Sequence, residues 1–555
     1  MRRPPLRRLA CSLLALSAML SLVAPTRGLA QAAAAVPASR ADIESQGGAA
    51  YRSKHFKEAA ALYGTAAALA ADSERAGDDY NQACSLALAG DKAGALAALG
   101  HAVDDGWSDA RQTASDSDLT SLHDDPTFTA LVARLTLARQ LEDKRWGNTA
   151  FKSAYAENLS AEDKVAGLSL LWAQAKYGFA NFWHVPDLDW DATYKSYIPQ
   201  VLATTSTEDY YKVVTRFYAL LKDGHTNVGA PAEIETGALP FRTRRIDGKV
   251  LITEVIDPGF AMQGLNPGDE IVQIDGLPVQ AYAEQNVLPY ISASSPQDLD
   301  LRGYGSALLV GHPGQVLRLG VVTPSGTRSV HDFTVPKAVT SSRPGFEYRL
   351  LPGHVAYVAL NEFGDDQDSV EWDKHWAELS QAKTIILDLR RNGGGDDGVG
   401  VHILMTLFDK PVPAPRQESP KWVATERAWG DSQGVVHYPD ALIAPDPAHH
   451  FSGKVIMLTG AGTFSAAEDA VVLFATSQRG TIIGEATGGS TGQPLLFPLP
   501  GGGMARVCTK HDRFADGREF VGVGVTPDIK VSPTRADIVN GIDPVLEKAV
   551  AVARQ

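Results

Sequence analysis

Cysteine is scarce in this sequence: three in 555 residues. Cys11 lies near the N-terminus, and Cys84 and Cys508 fall in different predicted domains. That spacing excludes a disulfide framework, and a chain this long can rely on its hydrophobic cores instead. Basic excess is missing too. Lys and Arg total 51 against 65 Asp and Glu, for a formal charge of −14. An acidic chain lacks the basic patch that nucleic-acid phosphates demand, so nucleic acid is excluded as a partner. After the first thirty residues, no run reaches ~18 uninterrupted apolar residues, so no membrane span is expected there. Hydrophobic content of 44% and charged content of 21% form an ordinary globular mixture, which argues against long disorder.

What is present begins with an N-terminal targeting pattern. Arg2, Arg3, Arg7 and Arg8 precede an apolar run from residue 9 to about residue 24, and Gly28-Leu29-Ala30 supplies small residues for cleavage. Residues 1–30 therefore read as a secretory signal peptide, and the protein as exported, periplasmic or secreted. The segment holds five arginines and no acid, so its removal leaves −19. Residues 31–45 are Ala-rich and read as a flexible start.

Four regions follow from composition and periodicity. Residues 31–140 form a helical region. Within it the pattern around Gly48-Ala49-Ala50-Tyr51 returns around Tyr80-Asn81-Gln82-Ala83-Cys84 at an offset of roughly the mid-thirties, the tetratricopeptide period. A generic Ala-rich bundle is the alternative there. Residues 145–235 are helical, with Trp172, Tyr177, Phe179, Phe182 and Trp183 as aromatic core and a second helix over 207–222. That helix stops at Asp223-Gly224. Residues 236–338 are β-rich. Their Gly264-Leu265-Asn266-Pro267-Gly268-Asp269 turn and following strand resemble a PDZ domain, the module that takes a peptide C-terminus as an added strand. Residues 340–555 alternate strands (383–389, 454–458, 481–484) with helices (399–408, 465–477). This is an α/β pattern with parallel strands.

Chemistry concentrates in three loops. Ser465 follows a strand and a Gly-containing loop, and opens a helix. The free N–H groups and positive dipole end of that helix suit an oxyanion. Ser465-Ala466-Ala467-Glu468 also fits an ordinary capping box. The glycines of Asn392-Gly393-Gly394-Gly395 end another strand and allow a second backbone N–H to approach. A phosphate loop is the weaker alternative, because no Lys-Ser/Thr follows. His225 stands on a loop, where catalytic groups are often carried. His449-His450 lacks metal-ligand spacing, so no metal is expected, and no cofactor either.

Taken in order, Leu221-Lys222-Asp223-Gly224-His225-Thr226, the PDZ-like region, Asp388-Leu389-Arg390-Arg391-Asn392-Gly393-Gly394-Gly395, Phe464-Ser465-Ala466-Ala467-Glu468-Asp469 and Gly522-Val523-Gly524-Val525-Thr526-Pro527-Asp528 resemble the tail-specific (C-terminal processing) protease family, which includes tricorn protease. The resemblance covers about residues 150–550. It implies a multidomain α/β protein: a crotonase/ClpP-like catalytic core, an inserted PDZ domain and a tetratricopeptide-like N-terminal region. It further implies a serine peptidase acting on polypeptides, with Ser465 as nucleophile and oxyanion amides from Ala466 and Gly393 or Gly394.

Two departures from the pattern of the family it resembles matter. The Ser–Lys branch carries a lysine about 25 residues after its serine, and here Ser490 stands near that place, with no lysine between Lys454 and Lys510. The tricorn branch uses a histidine, which His225 matches, and a neutral-pH imidazole suits general-base work. The tricorn serine and glutamate that accompany that histidine read Gly224 and Val521 here. Glu468 is the first candidate to orient His225, followed by Glu485, Glu519 and Asp223. A protein partner at the N-terminal repeats is also expected. The competing functions are an inactive carrier of a hydrophobic ligand or peptide on the same fold, and an acyl-CoA enzyme. Export argues against the latter.

Overall fold

The computed structural model describes residues 39–70, 72–257, 264–337, 343–364, 366–432 and 434–555. The expected signal peptide lies outside the described residues. The chain divides into two compact units, one ending at Trp146 and the other starting at Gly147.

The first unit is all-helical: α1 (Arg40–Arg52), α2 (Phe56–Leu69), α3 (Asp72–Leu88), α4 (Lys92–Asp104), α5 (Ala110–Ser115) and α6 (Pro126–Trp146). Its core is built largely of alanine, including Ala83, Ala95, Ala98 and Ala102 around Leu99. Small side chains let these helices approach closely. The expected flexible start is corrected here, because α1 already begins at Arg40. Ser39 caps it, accepting from the Asp42 N–H while the Asp42 carboxylate accepts from the Ser39 N–H.

The second unit opens with α7 (Ala161–Gly178), α8 (Trp190–Leu202) and α9 (Thr207–Ala219). The stripe Tyr210, Val214, Phe217 and Tyr218 buries one face of α9 at helical spacing. Phe179 is buried, but Tyr177 and Trp183 are 41% and 44% exposed, so neither belongs to the aromatic core expected of them.

Next comes β1 (Asn227–Gly229), followed by an antiparallel sheet of β2 (Phe241–Ile246), β3 (Lys249–Val255), β4 (Glu270–Ile274), β5 (Val316–Val322) and β6 (Arg328–Thr334), paired in that order. Helix α10 (Val279–Asn286) packs on it through Val279 and Ala283, over a separate core that includes Ile252, Ile271, Leu317 and Phe333.

The elements that follow include β7 (Phe346–Leu351), β8 (Val355–Leu360), α11 (Gln367–Lys374), β9 (Thr384–Asp388), α12 (Asp397–Met405), β10 (Lys454–Thr459), α13 (Ala466–Ser477), β11 (Thr481–Gly484), β12 (Pro494–Pro498), β13 (Met504–Cys508), β14 (Ile529–Lys530) and α14 (Pro544–Ala553). Six strands make one sheet in the order β7-β8-β9-β10-β11-β14. Only β7 is antiparallel to its neighbour.

Alternation along these strands covers both faces. Val358, Ile385, Leu387, Val455 and Met457 share a core with α12 and α13, while Tyr357, Ile386, Ile456, Leu458 and Ile483 share another with α14. With both faces occupied, the carboxyl edge of the parallel strands is left for a site. The loops after β9, β10 and β11 converge there. A smaller sheet, β1-β13-β12, fastens the chain just after His225, with Asn227 opposite Arg506.

Candidate active site

Ser465 is the residue between β10 and α13, and its backbone is unusual: φ is +57° and ψ is −132°. Left-handed φ is rare for a residue with a Cβ and costs about 1–3 kcal/mol. The loop is held in this shape from both sides. Thr463 Oγ1 donates to the Leu389 carbonyl at 2.7 Å, the Phe464 N–H to Asn392 O at 3.0 Å, and the Ser465 N–H to Ser490 O at 2.9 Å. The same turn swings the side chain out of capping position, and it makes no cap hydrogen bond. The capping box that the sequence allowed is therefore not formed.

Ser465 Oγ lies 2.9 Å from His225 Nε2 instead. His225 is 3% exposed. Its loop is anchored by the buried Asp223 carboxylate, which accepts from the His225 N–H at 2.9 Å, Thr226 Oγ1 at 3.0 Å and Asn181 Nδ2 at 2.9 Å. Ser292 Oγ and Ser294 Oγ accept from the N–H groups of Asp223 and Gly224. The imidazole stacks on Phe464, centroids 4.7 Å apart and 14° from parallel. Burial, reinforced by Arg506, Arg302 and Lys510, pushes it down from 6.5 to about 3.

Behind the imidazole stands Ser490. His225 Nδ1 lies 2.9 Å from Ser490 Oγ. The fully buried Glu468 carboxylate accepts from Thr487 Oγ1 at 2.5 Å, Gly489 N–H at 2.8 Å and Ser490 N–H at 2.7 Å. Glu468 thus holds the loop that holds Ser490, and its carboxylate bonds to that loop rather than to the His225 ring. Burial pushes Glu468 up to about 8, against the pull of those three donors. The other candidate acids point elsewhere. Glu485 pairs with Arg244, Glu519 accepts from His511, and Asp223 fixes the His225 backbone rather than its ring.

Gly394 packs against the serine. Its φ is +92°, and a Cβ there would sit 2.5 Å from Ser465 Cβ and 2.9 Å from the Ala466 nitrogen. Its N–H is taken by Asn392 Oδ1 at 2.9 Å. The N–H groups of Gly393 and Ala466 make no hydrogen bond among the described residues. Of the three amides expected at an oxyanion site, these two are open. A cavity of about 630 Å³ lies over them, lined by His225, Ser465, Gly393 and Gly394 together with Arg302 and Arg506.

Sequence reasoning did not find the Ser490 hydroxyl as the histidine's partner, the Phe464 stack or the two arginines. Ser490 had one signal, its position where the related branch carries lysine. Lys510, the next lysine along the chain, turns to Asp512 at 3.3 Å. His449 and His450 bond to Asp446 and Asp409. Among the described residues the grouping of metal-type side chains is Cys84, Asp116 and Asp118, whose carboxylates already accept from Tyr80 and Tyr51.

Residues 354–531 match the model of peptidase family S41. The chain is 24% identical over 292 residues to the chloroplastic C-terminal processing peptidase of Tetradesmus obliquus, a match covering 52% of this chain and 58% of the relative. It is 24% identical over 298 residues to the carboxy-terminal-processing protease of Bartonella bacilliformis, covering 53% and 60%. It thus spans less than two thirds of these relatives. Among solved structures, the chain resembles mature CPAF at 17% identity and TM-score 0.59, covering 71% of this chain and 96% of that one. CPAF complexed with lactacystin matches at TM-score 0.57. At such identity the likeness is one of fold.

Proposed function

We propose that this chain is an exported serine peptidase that cleaves polypeptides through an acyl-enzyme on Ser465. The observation that carries it is the 2.9 Å contact between Ser465 Oγ and His225 Nε2, at a helix start where the serine forgoes capping. In the reactive tautomer, Nδ1–H donates to Ser490 Oγ and Nε2 accepts from the serine hydroxyl. As Oγ bonds to the substrate carbonyl carbon, its proton passes to Nε2. The carbonyl π electrons move to oxygen, where the Gly393 and Ala466 N–H groups receive the charge. Collapse breaks the C–N bond, and the departing amine takes the proton from Nε2. Water then attacks the ester and gives a proton to Nε2, which returns it to Oγ as the acid leaves.

The depressed His225 has a consequence here. An imidazolium is disfavoured in the empty site by burial and nearby cations. The oxyanion offsets that cost as it forms, so proton transfer and attack are coupled. Ser490 is proposed as the positioning residue for His225 and Glu468 as the residue that fixes Ser490, an arrangement nearer to the histidine branch than to the Ser–Lys branch.

The proposal extends to the rest of the chain. The crotonase/ClpP-like core carries the chemistry, the β-rich segment serves as a PDZ-like domain for a substrate end, and the helical unit as a tetratricopeptide-like docking region. The Arg-rich, apolar N-terminus supports export. Incubation of the purified protein with unfolded casein tests the core claim. Cleavage by the wild type that is lost in Ser465→Ala and His225→Ala supports it. Equal cleavage by Ser465→Ala overturns Ser465 as the nucleophile, whereas no cleavage together with no reaction with a fluorophosphonate points to a carrier on this fold.

A further inference from the structure

The cavity over Ser465 carries two guanidinium groups that the peptide-cleaving chemistry does not use. Arg302 lies in the helical segment Leu301–Ala307, and its Nε donates to Asp298 Oδ1 at 2.6 Å. Its guanidinium sits over the Phe464 ring, 4.8 Å from the centroid, on the residue that stacks against His225. Arg506 lies in β13. Its Nε donates to Asn227 Oδ1 at 3.2 Å and its Nη2 to the Gly224 carbonyl at 3.3 Å. Both acceptors are neutral, and Arg506 forms no ion pair among the described residues.

The two arginines meet at one peptide. A Cβ on Gly224 would lie 3.0 Å from Arg302 Nη2, while the Gly224 carbonyl receives Arg506. Gly224 immediately precedes His225. Two cations therefore flank the start of the His225 loop, and both line the cavity. Two carboxylates lie near them. Asp298, which also lines the cavity, is paired with Arg302 and accepts from the Ser294 N–H at 3.2 Å. The buried Asp223, whose oxygens are taken by the His225 N–H, Thr226 and Asn181, attracts both arginines without bonding to either. A half-buried guanidinium with only neutral acceptors is incompletely compensated, and a planar fork suits a carboxylate. This cationic wall stands in a chain whose formal charge is −14.

We propose that Arg302 and Arg506 form a carboxylate-binding subsite beside Ser465, which selects polypeptides presenting an acidic side chain or a free chain terminus next to the scissile bond. As a specificity determinant it rests on the peptidase function proposed above. As a binding site it can be measured without turnover.

The probes are dansyl-Ala-Ala-Ala as the free acid and as its amide, and dansyl-Ala-Glu-Ala amide against its Gln counterpart. Anisotropy reports their binding to the full chain, wild type and Ser465→Ala. At least one carboxylate probe binds about ten-fold or more tighter than its neutral counterpart, the order expected of a charge-assisted pair. The probe that shows the preference identifies the source, terminus or side chain. In Arg506→Gln the preference falls to about two-fold or less, and Arg506→Lys, which keeps the charge without the fork, retains an intermediate value. Equal binding of all four probes, or a wild-type preference kept in Arg506→Gln, overturns the subsite. Should Arg506→Gln not fold, full preference in Arg506→Lys together with a full preference in Arg302→Gln overturns it equally. Cleavage of casein with no carboxylate preference leaves the peptidase standing without the subsite. A carboxylate preference with no cleavage and no fluorophosphonate adduct removes the peptidase instead.

Discussion

Two helix starts in this protein share one local pattern and resolve it in opposite ways. Thr534-Arg535-Ala536-Asp537 and Ser465-Ala466-Ala467-Glu468 both place an acid three residues after a hydroxyl. At Thr534 the backbone is extended, with φ −102°, and the box closes: the hydroxyl accepts from the Asp537 N–H, and the Asp537 carboxylate accepts from the Thr534 N–H at 2.8 Å. At Ser465 φ is +57° and no cap forms. The Glu468 N–H bonds to the Ser465 carbonyl instead, and the Glu468 side chain reaches across to Thr487, Gly489 and Ser490. The second start forgoes about 1 kcal/mol of capping and takes on about 1–3 kcal/mol of backbone strain. What it gains is a free hydroxyl at 2.9 Å from a buried imidazole. A helix start that gives up its cap has another use for the side chain.

The contrast breaks most sharply at the serine. Ser465→Ala lowers kcat by about 10⁴–10⁶-fold, while its unfolding free energy, by denaturant titration, changes by about 1 kcal/mol or less. Ser465→Gly is equally inactive but more stable than Ser465→Ala by about 1 kcal/mol, since glycine accepts the positive φ. His225→Ala follows, with a loss of about 10³-fold or more in kcat/KM on a peptide substrate.

In the wild type the pH profile of kcat/KM shows no fall centred on 6.5, because His225 sits at about 3. The stability sign follows from the same depression. The unfolded chain binds the proton that the folded site refuses, so stability is full above 6.5 and is lost as pH falls towards 3. A rate limb at 6.5 would place the working histidine in water.

Smaller effects sharpen the pairing. Glu468→Gln sets an amide against the N–H groups of the 487–490 loop and lowers kcat by about 5–150-fold, the cost of an unsatisfied buried donor. Ser490→Ala removes one hydrogen bond to His225 and lowers it about 2–12-fold. Thr534→Ala lies at the far end of the scale: about 1 kcal/mol of stability is lost by denaturant titration, with kcat on the same peptide unchanged.

Much of the sheet was readable because its strands are short apolar runs bounded by turn residues. The expected strand at 481–484 coincides with Thr481–Gly484, and that at 383–389 becomes Thr384–Asp388. The loops after them were readable as chemistry because glycines and a serine interrupt the apolar pattern. The partner of His225 was not, since Ser490 is 265 positions away along the chain and sits in a polar loop with no periodicity. Glu468 stands out as the first candidate to orient His225, but sequence spacing cannot say that its carboxylate turns towards the N–H groups of Gly489 and Ser490. Tyr177 and Trp183 were assigned to the core on hydrophobicity alone, yet aromatic residues are common at surfaces. The start of α1 was missed because the alanine run before it reads as a tail, although Ser39-Arg40-Ala41-Asp42 carries the capping box that starts the helix.

The central claim is that Ser465 Oγ is a nucleophile activated by His225, and intact-protein mass spectrometry after exposure to a fluorophosphonate tests it most directly. The expected result is a single adduct on the wild type that maps to Ser465, is absent from Ser465→Ala and forms far more slowly in His225→Ala. An unmodified wild type, or an adduct that persists in Ser465→Ala, contradicts it.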